Sequence, residues 1–337
     1  MPNQVQTILR KATRQPGEQL NILTFPSDDH YDISLCETGH NFWSLTIPGS
    51  KPWMQHYPLP KNYQLVPTEN NQATLPLYVD FDVCIAHDRG PHFDMAKHFQ
   101  DNYDLPIVLV EHSIPPKEWN ESRLLPLRNR EGQVNVFVAD CQKSAWGFHR
   151  DYDAIVNYIG INTKLFAPSE EEGRKDYVLW IGHNIMHKDE VYGFDTMRYI
   201  TGFPLPLTKL RILGHNPGVS RMVTSFEEYV GAYQDAGVYL NTCPGNPLPI
   251  PVLEAMACGC PVVSVAVGDL PKIIRNGETG FTSNNPEELR RYCIELLRDK
   301  DLATRISVNA RELIRKKFGV TRFVKSWEEI LQKALEE

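Results

Sequence analysis

The chain has 337 residues, of which 42% are hydrophobic and 23% charged, a composition typical of a globular protein long enough for two domains. Its net charge of -7 gives no overall basic excess of the kind that indicates nucleic-acid binding. The seven cysteines are scattered without a C-x-x-C pair, which argues against a disulfide framework or a zinc site. No apolar run is long enough to cross a membrane, and residues 1–19 lack the apolar centre of a secretory signal, so we expect a cytoplasmic protein.

The first half of the sequence contains short apolar runs rich in Val and Ile, a pattern typical of buried parallel strands. A polar stretch at residues 92–103 predicts a helix between two of these runs, and residues 46–76, rich in Pro, Asn and Gln, predict a loop. The runs that we interpret as strands lie at residues 20–25, 78–87, 105–113, 134–141 and 154–161.

The second half repeats the alternation of strand and helix. Ser225 followed by Glu228 predicts a capping box at the start of a helix over residues 225–237. Leu and Ile at three- and four-residue spacing predict helical structure over residues 286–318, and a last helix covers residues 321–337. The predicted strands lie at residues 176–184, 208–216, 238–243 and 260–267.

Strands and helices that alternate in two successive series predict an α/β fold with two domains and mostly parallel sheets. The polar stretch at residues 164–176 contains Pro and Gly, and we interpret it as the linker. Ligands of open α/β sheets bind outside the carboxyl ends of the strands, so the residues that follow each strand are the candidates for a site.

The stretch GNPLPIPVLEAMACGCPVVSV, residues 245–265, combines a stiff loop with the start of a helix. Pro251 suits the first helical position and Gly259 suits the stop, which predicts a helix over residues 251–258. The N-terminus of such a helix carries partial positive charge and can bind phosphate. A buried helix preceded by a rigid turn is the alternative interpretation of this segment alone.

The longer segment NPLPIPVLEAMACGCPVVSVAVGDLPKIIRNGETGF, residues 246–281, resembles the donor-binding region of the family 4 (group 1) retaining glycosyltransferases. The similarity extends upstream to VNYIGINTKLFAP, VLWIGHNIMHKDE and FEEYVGAYQDAGVYLNT, and it covers roughly residues 150–295. The N-terminal half is similar only loosely, through FDVCIAHD and PIVLVEHS. The resemblance implies the GT-B fold, in which two Rossmann-like domains with parallel sheets face each other across a cleft.

The resemblance also implies a division of the chain. Residues 1–165 would form the Rossmann-like acceptor-side domain and residues 166–318 the Rossmann-like nucleotide-sugar-binding domain. Residues 319–337 would form a terminal helix that packs back on the first domain. Phe323, Trp327 and Leu331 are spaced four residues apart and share one face of that helix, which suits such packing.

Within the resembling segment, Glu254 holds the position of a Glu that binds the nucleotide ribose in the family. Asn246 replaces the family's Glu at the sugar site, and an amide can hydrogen-bond sugar hydroxyls but places no negative charge near an oxocarbenium-like centre. The backbone N–H groups of Leu248 and Ile250 can still donate to the donor substrate, whereas Pro249 has none. A surface Glu favoured by the helix dipole is the alternative interpretation of Glu254.

The resemblance places Lys188 at the position of the phosphate-binding Lys and His183 at that of an Arg. A histidine is charged only part of the time near neutral pH, so we expect a phosphate clamp that is weaker or pH-dependent. An ordinary exposed lysine is the alternative for Lys188. Through the same resemblance, His112, Lys188 and Asn246 are the candidate catalytic residues.

Residues near the acceptor are expected on the N-terminal half. His112 resembles a family histidine close to the transferred sugar, and His87 and Asp88 follow the preceding strand. The family's Gly-rich loop after the first strand is replaced by FPSDDHYDISLCETGHNF, where Asp28, Asp29 and His30 would reach the substrate. Structural histidines at strand ends are the alternative for His87 and His112.

The function implied by the resemblance is transfer of a sugar from a UDP- or GDP-sugar to an acceptor hydroxyl, with retention and without a metal or other cofactor. The acceptor could be a saccharide, a polyol, a lipid-linked saccharide or a protein, and the sequence leaves it open together with the oligomeric state. The pair Asp28 and Asp29 is adjacent and does not form an Asp-x-Asp metal motif.

Two alternatives share the fold. A viral-type glycosyltransferase of modified DNA bases could use local basic charge in residues 10–14 and 122–130, although solvated surface charge is the simpler interpretation. A catalytically degenerate binding protein could explain Asn246, His183 and the prolines. Retention of both Lys188 and Glu254 argues against it.

Overall fold

The computed structural model describes residues 13–15, 17–50, 52–54, 56–69, 72–73, 75–76, 78–148, 154–170, 173–185, 188–203 and 209–336. Within these ranges the chain folds into two compact units. The first unit consists of residues 13–54, 58–159 and 321–336, and the second consists of residues 160–320 together with residues 56–57.

Strands and helices alternate along the described chain. The strands are β1 (Asn21–Thr24), β2 (Asn41–Leu45), β3 (Tyr63–Val66), β4 (Thr68–Glu69), β5 (Gln72–Ala73), β6 (Val83–Ala86), β7 (Ile107–Glu111), β8 (Val134–Phe137), β9 (Ile155–Val156), β10 (Lys175–Ile181), β11 (Leu210–Leu213), β12 (Ala236–Asn241), β13 (Val262–Val265) and β14 (Phe281–Ser283). The helices are α1 (Asp29–Cys36), α2 (Pro91–Tyr103), α3 (Glu121–Arg128), α4 (Asp140–Ala145), α5 (Asp189–Tyr192), α6 (Phe194–Thr201), α7 (Phe226–Asp235), α8 (Ile250–Ala257), α9 (Leu270–Ile273), α10 (Pro286–Arg298), α11 (Lys300–Lys317) and α12 (Val320–Glu336).

The first unit contains a seven-stranded sheet in the order β3-β2-β1-β6-β7-β8-β9, and all its pairings are parallel. Ile22 in β1 pairs with Phe42 on one side and Val83 on the other. Strands β6, β7 and β8 are buried along their whole length. Helices cover both faces of such a sheet, which is why these strands read as continuous apolar runs.

The second unit contains a five-stranded parallel sheet in the order β11-β10-β12-β13-β14. Its core is formed by strand residues such as Val178 and Trp180 and by the apolar faces of helices α6, α10 and α11. These two parallel sheets confirm the predicted α/β class. No helix in the described part of the chain is long and apolar enough to cross a membrane.

The helical structure predicted over residues 286–318 is confirmed, and it consists of two helices because the chain breaks at Asp299. The N–H of Asp299 donates to the Glu295 carbonyl (2.8 Å) and closes α10. Its carboxylate accepts the N–H of Leu302 (2.9 Å) and starts α11. One aspartate therefore serves as the C-cap of one helix and the N-cap of the next, and an apolar repeat does not reveal this.

The predicted loops around residues 25–42 and 46–76 are wrong in part, because they contain α1, β2 and β3. Asp32 connects two of these elements: its Oδ1 accepts the Ser27 hydroxyl (2.6 Å) and its Oδ2 the Tyr63 hydroxyl (2.9 Å). The side chain is 1% exposed, and burial raises its pKa to about 7 despite these hydrogen bonds.

The last helix, α12, belongs to the first unit. Phe323, Trp327 and Leu331 are all buried, as their spacing predicts. Arg322 on the same helix donates to the side-chain oxygen of Asn157 (2.8 Å) and to the Tyr158 carbonyl. The chain passes from the first unit to the second between residues 159 and 160 and returns between residues 320 and 321.

The two ends of the long segment that forms the second unit lie side by side. The N–H of Ile161 donates to the Phe318 carbonyl (2.7 Å), and the N–H of Val320 donates to the Ile161 carbonyl (3.1 Å). These reciprocal bonds close the segment on itself.

Replacing Trp327 with Ala should lower the unfolding free energy by about 3 to 5 kcal/mol, the cost of emptying a buried aromatic site. Trp327 is 0% exposed, whereas Lys325 on the same helix is exposed. Lys325→Ala is therefore the matched control and should change stability by less than about 0.5 kcal/mol. Chemical denaturation of both variants measures the difference, and equal midpoints would show that α12 contributes no packing.

Asp32→Asn should change how stability depends on pH. A raised native pKa means that the folded state holds the proton more tightly than the unfolded chain, so the stabilising contribution is lost as pH rises through the native pKa. The stability of the wild type relative to Asp32→Asn should fall by about 4 kcal/mol from about pH 4 to about pH 7. Urea unfolding at a series of pH values measures this difference, and a pH-independent difference would contradict it.

Candidate functional site

The candidate donor site lies at the carboxyl edge of the five-stranded sheet. Neighbouring parallel strands β11, β10, β12 and β13 all end at this edge, and the loops that follow them are therefore brought together. The described residues of these loops are 182–185 and 188, 214–220, 242–249 and 266–269. Four of the residues predicted for donor binding, His183, Lys188, Asn246 and Leu248, lie in them.

Helix α8 begins at Ile250 with Pro249 as its N-cap, one residue earlier than predicted. Pro251 is the second helical residue, where its missing N–H still costs nothing. The helix ends at Ala257, and Gly259 follows with φ 66°, as the predicted stop requires. The amide of Ile250 thus stands at the start of a helix that points to the carboxyl edge of the sheet.

The loop before α8 is supported from the β13 side. The N–H of Asp269 donates to the Pro247 carbonyl (2.9 Å). A Cβ on Gly268, which has φ 54°, would lie 1.9 Å from that same carbonyl oxygen. Only glycine allows this approach. The role of Gly268 was not predicted, although the Gly-Asp pair directly follows the strand predicted over residues 260–267.

The turn that carries Lys188 is fixed to the end of β12. The Lys188 carbonyl accepts the N–H groups of Val191 and Tyr192 (both 3.1 Å), which forms the single turn of α5. The Tyr192 carbonyl accepts the Thr242 hydroxyl (2.8 Å), and this hydroxyl accepts the indole N–H of Trp180 (2.8 Å). The Lys188 side chain itself is exposed at the end of this anchored turn.

His183 follows β10, and its Nδ1 accepts the backbone N–H of His215 (3.2 Å). A nitrogen that accepts a hydrogen bond carries no proton, so His183 is neutral here and its Nε2 carries the hydrogen. The part-time positive charge that the resemblance implies for this position stays a prediction.

The two Gly-His pairs of the sequence pack against each other. A Cβ on Gly214 would lie 2.1 Å from the Gly182 carbonyl oxygen. The side-chain amide of Asn216 donates to that carbonyl (2.7 Å), and its Oδ1 accepts the N–H of Ile185 (3.1 Å). Asn216 thus holds the loop after β10, a role that no motif in the sequence indicated.

Asn246, the candidate for contact with the transferred sugar, folds its own loop. Its Oδ1 accepts the backbone N–H of Leu248 (2.9 Å). The Leu248 amide, predicted to donate to the donor substrate, is thus already hydrogen-bonded within the loop. The amide nitrogen of Asn246 is the group that can meet a sugar hydroxyl without breaking this turn.

Glu254, predicted to bind the ribose, is 1% exposed. Its Oε2 lies 2.8 Å from the Tyr229 hydroxyl and 3.2 Å from the Tyr233 hydroxyl. The two hydroxyls, one turn apart on α7, are 2.7 Å from each other, so their two protons are shared among the three oxygens. Burial, and then the charge of Glu254, raises the pKa of both tyrosines well above the ordinary range, so both stay protonated. Two neutral donors therefore hold an interior carboxylate.

Aromatic rings cover the tyrosine side of α7. The rings of His56 and Tyr57 each lie 5.8 Å from Tyr229, and Tyr57 lies 5.5 Å from Phe226. His56 and Tyr57 come from a part of the sequence that gave no signal of this role. Their packing explains why Glu254 and its tyrosines have little access to solvent.

On the first unit, His87 and His112 are hydrogen-bonded to each other, with Nδ1 of His87 2.9 Å from Nε2 of His112. The Thr24 hydroxyl donates to the Ile85 carbonyl (3.3 Å), so Nε2 of His87 donates to the Thr24 oxygen (2.9 Å). His112 then donates to His87. Burial lowers the pKa of His112 to about 4 and that of His87 well below its usual range, so both rings are neutral near pH 7.

Asp28 and Asp29 both accept hydrogen bonds from backbone N–H groups of the first unit. Asp28 is the N-cap of α1, and its Oδ1 accepts the N–H of His30 (3.1 Å). Oδ2 of Asp29 accepts the N–H of Met54 (2.6 Å). These three predicted substrate contacts thus start a helix and do not lie in an open loop.

Asp88 also caps a helix, because its Oδ1 accepts the N–H groups of Gly90 (2.7 Å) and His92 (3.2 Å) at the start of α2. Among the described residues, no group of three or more His, Cys, Asp or Glu side chains could hold a metal ion.

The basic segments considered for DNA binding are largely paired. Arg14 bonds Asp82, while residues 10–12 lie outside the described residues. Arg128 pairs with Glu121 (2.5 Å), and Arg130 pairs with Asp94 (2.9 Å). These side chains are thus engaged within the first unit.

Residues 212–313 match the family model described as Glycosyl transferases group 1. The N-acetyl-alpha-D-glucosaminyl L-malate synthase of Bacillus anthracis is 33% identical over 81 residues, which cover 23% of this chain and only 21% of that protein. An uncharacterized glycosyltransferase of Haemophilus influenzae is 28% identical over 88% of this chain and 93% of its own length.

Among solved structures, Anabaena Alr3699/HepE in complex with UDP and glucose superposes with a TM-score of 0.72. The sequence identity is 13%, and the superposition covers 94% of this chain and 100% of that one. Likeness at this level of identity concerns the fold, and the family match concerns the second unit. The chain therefore has the GT-B fold, and its residues 212–313 match the family model of the group 1 glycosyl transferases.

Proposed function

We propose that the protein transfers a sugar from a nucleoside-diphosphate sugar, carried on UDP or GDP, to an acceptor hydroxyl. The anomeric configuration is retained, and the reaction needs no metal ion. The observation that carries the proposal is the carboxyl edge of the second sheet, where the Lys188 turn and the loop before α8 follow the adjacent strands β10 and β12.

Two features of this edge suit a diphosphate. Lys188 is an exposed cation on an anchored turn. Helix α8 presents the partial positive charge of its N-terminus at Ile250.

In the proposed reaction, the bond between the anomeric carbon and the diphosphate oxygen breaks, and the acceptor oxygen bonds to the same carbon on the same face. The acceptor proton passes to the departing diphosphate oxygen, so no protein base is required. The protein orients both substrates and neutralises the leaving group, for which Lys188 supplies the charge. Asn246 serves as a hydrogen-bond partner for a sugar hydroxyl.

UDP is the first nucleotide to test, because the Anabaena protein of the same fold was crystallised with UDP and glucose. Lys188→Ala should weaken UDP binding about tenfold, since one charge-assisted contact to phosphate is lost. Lys175→Ala is the matched control: Lys175 lies at the opposite end of β10 and pairs with Asp235 (2.6 Å). Calorimetric titration of both variants measures the effect, and equal affinities would remove Lys188 from the donor site.

The same preparation tests the reaction itself. With UDP-glucose, GDP-sugars and an excess of EDTA, proton NMR of the product reports its anomeric configuration. An inverted product, or activity abolished by EDTA, would reject the retaining, metal-free form of the proposal. A wild-type protein that binds neither UDP nor GDP would favour the catalytically degenerate binding protein.

We assign Glu254 to the ribose, whose hydroxyls would join or replace the tyrosine donors at its carboxylate. Wild-type protein should then bind UDP about tenfold more tightly than 2′-deoxy-UDP, and Glu254→Gln should bring this ratio close to one. Glu227→Gln, an exposed position on α7, is the control. A ratio that Glu254→Gln leaves unchanged would mean that Glu254 only holds α7 and α8 together.

A further inference from the structure

The first unit contains a cavity of about 450 Å³ at the carboxyl ends of β6 and β7. This volume lies within the range of small-molecule sites. Its wall comes from the loop after β6, the loop after β7, helix α3 and the indole of Trp146. The sequence patterns did not indicate this cavity, although Asp88, one of the residues predicted near the acceptor, lines it.

Arg89 and Glu111 line the cavity and form a buried ion pair whose nearest atoms are too far apart for a hydrogen bond. Arg89 is 2% exposed, and its Nε lies 3.9 Å from Oε2 of Glu111, beyond hydrogen-bond distance. Nε of Arg89 has no hydrogen-bond partner among the described residues. A buried N–H donor without a hydrogen-bond partner lowers stability. The space between Arg89 and Glu111 is therefore suited to a group that accepts a hydrogen bond from Arg89 and donates one to Glu111.

The remaining atoms of the pair are fixed in place. The other carboxylate oxygen of Glu111 accepts the N–H (3.1 Å) and the hydroxyl (2.9 Å) of Ser113. Arg89 donates to the Arg130 carbonyl, and its guanidinium lies 4.7 Å from the ring centroid of Phe148. The gap between Arg89 and Glu111 is therefore a preformed feature of the packed unit.

The outer wall of the cavity offers an aromatic surface. Trp119 is half-buried, and the exposed guanidinium of Arg123 lies 4.1 Å from the centroid of its ring. Pro115 and Pro116 precede it in the same loop and stiffen it. A ring that carries C–H groups on one face and hydroxyls at its edge can displace the exposed Arg123 side chain and stack on this indole.

The charges around the cavity balance. Asp88 and Glu111 contribute carboxyl groups, and Arg89 and Arg123 contribute guanidinium groups. A cavity with this balance has no excess positive charge to select a phosphate and no excess negative charge to select an amine. Hydroxyl groups, which donate and accept at once, match it best.

We infer that this cavity binds a neutral saccharide, with a hydroxyl bridging Arg89 and Glu111 and a ring stacked on Trp119. The inference rests on the proposed function and deepens it, because it makes the acceptor a carbohydrate. It excludes a modified DNA base and a phosphorylated sugar as the preferred ligand of this cavity.

The six tryptophans provide the measurement, because only Trp119 and Trp146 line the cavity. Full-length protein is titrated with maltose, lactose, N-acetylglucosamine and glucose 6-phosphate while the indole N–H signals are recorded by ¹H–¹⁵N NMR. We expect a neutral sugar to shift the signals of Trp119 and Trp146 and to leave those of Trp43, Trp53, Trp180 and Trp327 in place. No shift with any neutral sugar, or a shift with glucose 6-phosphate alone, would overturn the inference.

Substitutions of Trp119 test whether its ring contributes to sugar binding. Trp119→Ala should weaken sugar binding about tenfold or more, and Trp119→Phe should recover most of it, because a ring remains. Tyr103→Ala removes an exposed aromatic ring elsewhere on the first unit and should have no effect. Equal affinity in Trp119→Ala and wild type would overturn the stacking.

UDP titration of the same samples separates this inference from the proposed function. Unchanged UDP binding with no sugar binding would overturn the saccharide cavity alone. Sugar binding at Trp119 in a protein that binds no nucleotide would support the cavity and overturn the transferase reaction.

Discussion

The loop between β12 and α8 is held by two backbone contacts that exclude a side chain. A Cβ on Gly193 would lie 2.0 Å from the Thr242 carbonyl oxygen, and one on Gly268 would lie 1.9 Å from that of Pro247. Both glycines also have positive φ, 67° and 54°, which disfavours any other residue. The first contact comes from the β10 side and the second from the β13 side. The loop is therefore clamped between two neighbours before any ligand arrives, and ordering it on binding costs little entropy.

The sequence was sufficient for the parts of the fold that depend on continuous apolar runs and on Pro or Gly signals. Buried strands such as β7 and the stop of α8 at Gly259 follow from these local patterns. It was insufficient where polar residues form the interior. Helix α1 has acidic residues in its first turn and buries Asp32, whose partners Ser27 and Tyr63 become neighbours only after folding. Such an element has no amphipathic pattern to detect.

For the candidate site too, the sequence indicated which residues to consider but not their charge or hydrogen bonding. The resemblance singled out Glu254, His183 and His112, but their hydrogen bonding depends on partners distant in the sequence. Glu254 is held by tyrosines of α7, His183 is neutral because of a backbone N–H from His215, and His112 is neutral because it is buried against His87. The charge that a residue type suggests is thus changed by its neighbours, and the main exposed cation left at the donor edge among the residues singled out is Lys188.

The return of α12 to the first unit has a consequence for how the protein is made. On a ribosome, a segment can fold once all its residues have emerged, and N-terminal parts generally fold first. Residues 160–320 are closed on themselves by the bonds between Ile161 and the region of Phe318 and Val320, so nearly the whole second unit can fold at that point. The first sheet is synthesised earlier, yet it keeps the sites for Phe323 and Trp327 open until those residues appear. The first unit, whose sheet is translated before the second unit, is therefore completed after it, with an apolar surface exposed throughout synthesis of the inserted unit.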